Sequence, residues 1–237
     1  MSRMIINMKS LLYDFSTLIY PELCYCCETA LMKQEKLICT SCLVNIPRTY
    51  YHLVDGNPIE KIFWGRAKVE RATSYFLFQK GSNYQQLLHS LKYKGVREIG
   101  VELGRNFGNE LNDISYFDDV DMVVPVPLHP KKEKKRGYNQ SLAIAEGLSL
   151  AIHKPVDSKV LIRKHFSQSQ TRKGRFSRWE NVSELFDVKN LVDFEGKHIL
   201  LVDDVVTTGS TLEACAQAIL KCPSTKVSIA TLAFATI

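Results

Sequence analysis

Short apolar runs alternate with amphipathic stretches along most of this chain. The apolar runs predict strands over Ala72–Phe78, 120–126, 160–162, 197–202 and Lys226–Ala235. Apolar residues at helical spacing predict helices over 83–94, 97–111, 138–151 and a segment that begins near residue 211. Strands that alternate with helices imply parallel strands joined by right-handed crossovers. The predicted fold class is therefore α/β, with a parallel sheet flanked by helices.

The pattern also divides the chain. Residues 1–46 combine apolar positions at helical spacing with a cysteine-rich stretch, and predict an N-terminal helix followed by a small metal-binding module. Residues 47–70 contain Gly and Pro with little periodicity and predict a linker, which leaves 71–237 for the α/β domain. Without a membrane-length apolar run or a signal-peptide cleavage site, the chain is expected to be cytoplasmic.

Residues 199–211 carry the most specific chemistry. Four apolar residues, 199–202, have the composition of a buried strand, and Asp203 and Asp204 follow at its predicted end. A loop rich in Thr and Gly then begins a helix. Ligands of open α/β sheets bind at the carboxyl ends of strands, and a helix N-terminus attracts anions. Carboxylates beside such a loop suit ribose hydroxyls or hydrated Mg²⁺. The alternative is an ordinary Thr-capped helix after a buried strand.

These thirteen residues resemble the phosphoribosyl-pyrophosphate (PRPP) motif of type I phosphoribosyltransferases. The resemblance implies that the acidic pair holds the ribose hydroxyls and that the following loop binds the 5′-phosphate. By position, the implied PRPP-binding residues are Asp203, Asp204, Val205, Val206, Thr207, Thr208, Gly209, Ser210 and Thr211.

Five of the seven cysteines lie between positions 24 and 42. Two Cys-x-x-Cys pairs, Cys24 with Cys27 and Cys39 with Cys42, predict a structural zinc site with four thiolate ligands. Disulfides are the competing interpretation, which a reducing cytosol disfavours. Cys26 is an alternative ligand in place of Cys24 or Cys27.

The net charge of +6 favours anionic partners, and two basic segments concentrate it. The first, 131–140, follows a predicted strand at the same sheet edge as the phosphate loop. By analogy with type I transferases, a loop here binds pyrophosphate, with His129 and Lys131 as the expected contacts. The alternative is a solvated lysine run before a helix.

The second basic segment, 163–178, has six cations and no acid. Its composition predicts a flexible loop that closes over the ligand and neutralises departing pyrophosphate. The cations are Arg163, Lys164, Arg172, Lys173, Arg175 and Arg178. The alternatives are a basic loop without a catalytic role and, because aromatic residues are interleaved, a surface for single-stranded nucleic acid.

Taken in order, the motifs resemble the ComF (ComFC) family of competence-associated, phosphoribosyltransferase-like proteins. They are LIYPELCYCC, LKYKG at 91–95, VPVPLHPKKEKKRGYNQS at 124–141, the Gln170–Arg178–Asn181 stretch and the PRPP motif. The chain departs from the family pattern at Ser167, Ser169 and Gln170, within the basic loop. The resemblance implies a PRPP-binding fold with a zinc finger, a role in handling transforming single-stranded DNA, and a competence helicase as a possible partner.

The resulting hypothesis is Mg²⁺-dependent transfer of 5-phosphoribose from PRPP to an unidentified nitrogen nucleophile. Thr207 stands where some purine transferases have an acid that serves as general base, and a threonine does not take that role at neutral pH. The alternative is a non-catalytic protein that uses the same fold as a scaffold for single-stranded DNA. Regulation of transcription is a third possibility, for which the chain offers no helix-turn-helix signal.

Overall fold

A computed structural model describes residues 20–164, 185–190 and 194–235 of the chain. The predicted N-terminal helix and most of the second basic segment lie outside these ranges. In the described part of the chain, no helix combines the length and the apolar character that crossing a membrane requires.

The centre of the molecule is a four-stranded parallel sheet in the order β1-β6-β5-β2. Its strands are β1 (Ala72–Phe78), β2 (Met122–Pro125), β5 (His198–Val206) and β6 (Lys226–Ala235). A separate antiparallel ribbon pairs β3 (Leu161–Arg163) with β4 (Phe186–Val188). The α/β class and the parallel sheet are therefore confirmed, and β1 and β6 have the predicted bounds.

The predicted end of β5 is wrong. The strand continues four residues past Val202, because β6 stays paired with it as far as Val206 opposite Phe234. Asp203 and Asp204 consequently lie inside a strand rather than in a loop after it. The regular backbone of the ladder therefore sets the direction of both carboxylates.

Seven α-helices are described within residues 20–164, 185–190 and 194–235. They are α1 (Thr40–Val44), α2 (Pro58–Phe63), α3 (Tyr84–Tyr93), α4 (Arg97–Asn112), α5 (Pro130–Arg136), α6 (Gln140–Ile152) and α7 (Ser210–Ile219). The predicted helices over 83–94, 97–111 and 138–151 correspond to α3, α4 and α6.

Strand β5 separates two apolar cores. Its buried side chains alternate, so that Leu200 and Val202 pack with α3, α4 and α6, whereas Ile199 and Leu201 pack with α2, α7 and the ribbon. Both faces of the sheet are covered, as a parallel sheet requires.

Helices α4 and α6 cross at very short range on the first face. A Cβ atom at Gly104 would lie 2.3 Å from the carbonyl oxygen of Ile144, and one at Gly147 would lie 2.0 Å from that of Val101. Only glycine permits this approach. Ser141, at the start of α6, lies beside β5, where its hydroxyl donates to Oδ1 of Asp203.

The segment predicted as a linker packs on the domain. Residues Tyr51–Leu53 form a 3-10 helix, and α2 buries Ile59 and Phe63 in the second core. The buried Asn57 caps α2 by accepting from the backbone N–H of Ile59, and its amide donates to the carbonyl oxygen of Ala72 in β1 at 2.9 Å. The domain boundaries themselves stay a prediction.

Candidate phosphoribose and metal sites

The acidic pair lies at the carboxyl end of β5. Oδ1 of Asp203 accepts one hydrogen bond from Oγ of Ser141 and another from the backbone N–H of Asp204, each at 2.8 Å. Burial, followed by the neighbouring Asp204 carboxylate, raises the pKa of Asp203 to about 7. The pair therefore requires compensating positive charge or hydrogen-bond donors.

Lys92 supplies one such charge. Its Nζ lies 3.0 Å from Oδ2 of Asp204, and the two side chains are only 23% and 15% exposed. Lys92 is the penultimate residue of α3, which packs Leu87 and Leu91 fully into the first core. A helix that is otherwise structural thus delivers a cation to the acidic pair.

The phosphate loop follows β5 and ends at the first turn of α7. Residues Asp203 and 205–212 line a small cavity of about 80 Å³. Gly209 has a left-handed backbone with φ of 72°, and the hydroxyls of Thr208 and Ser210 lie 3.1 Å apart. The structure therefore brings the predicted loop residues Val205 to Thr211 to one concave surface at a helix N-terminus.

Arg66 ties this loop to the segment after α2. Its Nη1 donates to the carbonyl oxygen of Thr208 at 2.8 Å and to that of Ile62 at 3.1 Å. Its Nη2 forms an ion pair with Glu213 in the first turn of α7. A Cβ at Gly209 would lie 2.5 Å from Cγ2 of Ile62, so the loop rests directly on α2.

A larger cationic cavity, of about 500 Å³, borders the acidic pair through Lys92. It is lined by Lys92, Tyr93, Lys94, Gly95, Lys132, Lys135 and Arg136. The guanidinium of Arg136 lies 5.4 Å from the ring centre of Tyr93, and its Nη1 donates to Oε1 of Gln140 at 2.7 Å. The cavity has the charge and the size to hold a diphosphate or a strand of phosphodiesters.

The first basic segment differs from its prediction. Residues 130–136 form the short helix α5 rather than a loop, because His129 caps it by accepting from the backbone N–H of Lys131 and Gly137 ends it with φ of 83°. His129 and Lys131 stand at its start and do not line the cationic cavity. The helical spacing instead directs Lys132, Lys135 and Arg136 toward that cavity.

The second basic segment is described only at its base. Arg163 belongs to β3, where its guanidinium lies 5.3 Å from the ring centre of Phe186. Lys164 pairs with Asp187, with 2.8 Å between Nζ and Oδ2. The other predicted cations of this segment, Arg172, Lys173, Arg175 and Arg178, lie outside the described residues.

The four predicted cysteine ligands converge. The Sγ atoms of Cys24, Cys27, Cys39 and Cys42 all lie within 4.8 Å of one another, and those of Cys27 and Cys39 are 3.7 Å apart. Zinc bonded to four sulfurs at about 2.3 Å requires sulfur–sulfur distances of about 3.8 Å. The group could therefore hold a metal ion such as zinc, and Cys26 does not join it.

Backbone amides turn toward these sulfurs. The N–H groups of Cys26 and Cys39 donate to Sγ of Cys24 at 3.4 and 3.2 Å, and that of Cys42 donates to Sγ of Cys39 at 3.4 Å. Such donors stabilise thiolates.

The cysteine module also shares the first core with α3, since Cys24 and Cys39 pack in the same cluster as Leu87 and Leu91. The Tyr84 hydroxyl donates to the carbonyl oxygen of Cys42 at 3.1 Å.

Reasoning from sequence did not assign three residues of the site. Lys92 and Ser141 lie within LKYKG and RGYNQS, which served only as family motifs, and Arg66 lies in the segment predicted as a linker. The first two contact the acidic pair and the third contacts the phosphate loop. The charge or polarity of these three side chains was the only indication in the sequence that they belong to the site. No sequence spacing relates them to β5.

Comparison with known proteins agrees with this geometry. A family model described as "Phosphoribosyl transferase domain" matches residues 134–236. Competence protein ComFC of Bacillus subtilis is 31% identical over 207 residues, which make up 84% of this chain and 78% of that protein. The chain belongs to the ComF family. DNA utilization protein YhgH of Escherichia coli is 29% identical over 203 residues, with 84% of each chain covered.

Two phosphoribosyltransferases are among the solved structures that resemble this ComF-family chain in part. A purine phosphoribosyltransferase from Pyrococcus horikoshii is 18% identical, with a TM-score of 0.38, over 58% of this chain and 81% of that one. An adenine phosphoribosyltransferase from Trypanosoma brucei is 12% identical, with a TM-score of 0.37, over 76% and 81%.

Proposed function

We propose that the chain binds PRPP and transfers its phosphoribosyl group to a nitrogen nucleophile. The observation that carries this proposal is the arrangement of three features at one sheet edge. These are the acidic pair, the phosphate loop at the start of α7, and the cationic cavity that borders the pair through Lys92.

The phosphate loop would hold the 5′-phosphate. Its cavity of about 80 Å³ suits a single phosphate group, and α7 is long enough for its first N–H groups to favour an anion. Arg66 supports this role because it fixes the Thr208 carbonyl oxygen without entering the cavity. Asp203 and Asp204 would accept hydrogen bonds from the ribose hydroxyls.

The cationic cavity would hold the diphosphate of PRPP. During transfer the bond from C1′ to the diphosphate oxygen breaks and the diphosphate leaves with the electron pair. The acceptor nitrogen forms a bond to C1′, and its proton passes to water. Lys132, Lys135 and Arg136 would stabilise the charge that builds on the leaving group. His129, Lys131 and the cations of the second basic segment remain predicted contacts.

Two metals are part of the proposal. Mg²⁺ fits the acidic pair because carboxylate oxygens are the ligands that it prefers, and when bound with PRPP it supplies positive charge to the diphosphate. Zinc would be held by the four cysteines and would stabilise the fold, since a site with four thiolates leaves no open position for substrate. Thr207 is exposed in the loop and offers no general base.

The second candidate function is binding of single-stranded DNA without catalysis. It is favoured by the stacking of Arg136 on Tyr93 at the wall of a cavity with five cations, since such pairs hold bases and phosphates together. The names of the relatives, "competence protein" and "DNA utilization protein", support a role in DNA uptake or use. A competence helicase stays a predicted partner.

The test is calorimetric titration of PRPP with Mg²⁺ into the zinc-supplied chain. Two charged hydrogen bonds at about 1.5–3 kcal/mol each predict that the double variant Asp203→Ala/Asp204→Ala binds at least 100-fold more weakly. The control, Asp113→Ala/Asp118→Ala, removes two exposed carboxylates outside the site and should bind as the wild type does.

Absence of PRPP binding to the wild type would contradict the proposal. An oligonucleotide titration at several salt concentrations then tests the second candidate, which predicts a steep loss of affinity with salt. If PRPP binds, release of pyrophosphate with a panel of bases and amines identifies the acceptor.

A further inference from the structure

Lys92 contacts the acidic pair and also lines the cationic cavity. Its Nζ contacts Oδ2 of Asp204 at 3.0 Å, and its side chain also forms part of the wall of the cationic cavity. Ser141 and the backbone N–H of Asp204 already bond Oδ1 of Asp203. Oδ2 of Asp204 is thus the oxygen of the acidic pair that the ammonium group of Lys92 occupies.

The backbone around Lys92 is firmly held. Leu91 is fully buried, and its carbonyl oxygen accepts a hydrogen bond from the Tyr138 hydroxyl. Tyr93, on the other side, lies under the guanidinium of Arg136. Any movement of the Lys92 ammonium group between Asp204 and the cavity would therefore come from rotation of its side chain rather than from a shift of its Cα atom.

We propose that Lys92 occupies the cation position of the acidic pair until a diphosphate in the cavity draws its ammonium group away. A divalent cation then reaches Asp204 only together with the anionic ligand. Lys92 is a positioning residue in this scheme, and it determines when the site accepts metal. The identity of the anionic ligand rests on the proposed function. The contact between Lys92 and Asp204 does not depend on it.

The physical reason is competition for one place. An ammonium group 3.0 Å from a carboxylate oxygen fills the volume that a metal ion would use, and its charge repels a dication. Once a diphosphate occupies the cavity, its oxygens compete for the ammonium and add ligands for the metal. The carboxylates and the diphosphate can then share the cation.

The experiment measures binding of Mn²⁺ alone, from the electron paramagnetic resonance signal of the unbound ion, with the full chain supplied with zinc. The variant Lys92→Met keeps an unbranched side chain one atom shorter than lysine and removes its charge. We expect Lys92→Met to bind Mn²⁺ at least tenfold more tightly than the wild type and Lys92→Arg to bind as weakly as the wild type. Adding Asp204→Asn to Lys92→Met should abolish the gain.

The matched control is Lys134→Met, which removes one positive charge from α5 without altering the wall of the cavity. It should leave Mn²⁺ affinity within twofold of the wild type. Equal affinities for Lys92→Met and the wild type would overturn the inference, as would an equal gain in Lys134→Met. Because PRPP is absent, this outcome is independent of whether the PRPP titration succeeds.

Discussion

Replacing Gly209 with alanine tests how tightly the phosphate loop rests on α2. The φ of Gly209 is 72°, and a Cβ there would lie 2.5 Å from Cγ2 of Ile62 and 3.1 Å from Cε1 of Phe63. The left-handed backbone costs about 1–2 kcal/mol for an alanine, and forcing a methyl group into the contact costs about 1–3 kcal/mol more. We therefore expect Gly209→Ala to lower the free energy of unfolding by about 2–5 kcal/mol.

Gly65 provides a matched control. It has the same φ of 72°, but a Cβ there would meet no atom within 4 Å. Gly65→Ala therefore carries the backbone strain without the steric conflict, and the difference between the two variants isolates the packing contribution of about 1–3 kcal/mol. Urea denaturation followed by circular dichroism measures both.

A second substitution on α2 completes the test. Ile62→Ala removes the nearest atom, so the double variant Gly209→Ala/Ile62→Ala should be more stable than the sum of the single changes implies. Equal losses of stability in Gly209→Ala and Gly65→Ala would contradict the close packing of the loop on α2. So would additive effects of Gly209→Ala and Ile62→Ala.

Two further predictions concern the metal module and a buried histidine. Cys42→Ser should lower bound zinc from one ion per chain to nearly none, whereas Cys26→Ser should retain the ion. Atomic absorption after dialysis measures the zinc content. Equal losses of zinc in the two variants would contradict the assignment of Cys42, rather than Cys26, as a ligand. Burial lowers the pKa of His52, so the folded chain takes up its proton less readily than the unfolded chain, and stability falls as pH falls below about 6.5. The variant His52→Leu should lower the pH dependence of the free energy of unfolding between pH 5 and 7 by up to about 1.4 kcal/mol per pH unit, as measured by urea denaturation. An unchanged pH dependence would contradict the prediction.

Much of the fold followed from local patterns. Strands β1 and β6 are rich in apolar, β-branched and aromatic residues, and their predicted bounds match the structure. Strand β5 extends past its predicted end because pairing with β6 outweighs the polarity of Asp203 and Asp204. Such an extension depends on a partner strand, so no local pattern reveals it.

The candidate sites were predicted only where their residues lie close together in the sequence. The phosphate loop and the four cysteines have diagnostic spacing, and the structure brings each set together. Three other residues of the site, Lys92, Arg66 and Ser141, are 62 to 142 positions from the residues that they contact in β5 and the phosphate loop. Helix packing and long side chains bring them there. A short helix such as α5 was also missed, since its lysine-rich sequence has no apolar face.

The order of the strands has a consequence for synthesis of the chain. Strand β6 lies between β1 and β5, although it comes last in sequence among the described strands. While the ribosome is still translating residues before Lys226, β1 and β5 each expose an unpaired, apolar edge. The acidic pair can take its final direction only after β6 has entered the gap. We expect a nascent chain that stops before Lys226 to aggregate or to recruit chaperones, and the last strand to complete both cores in one cooperative step.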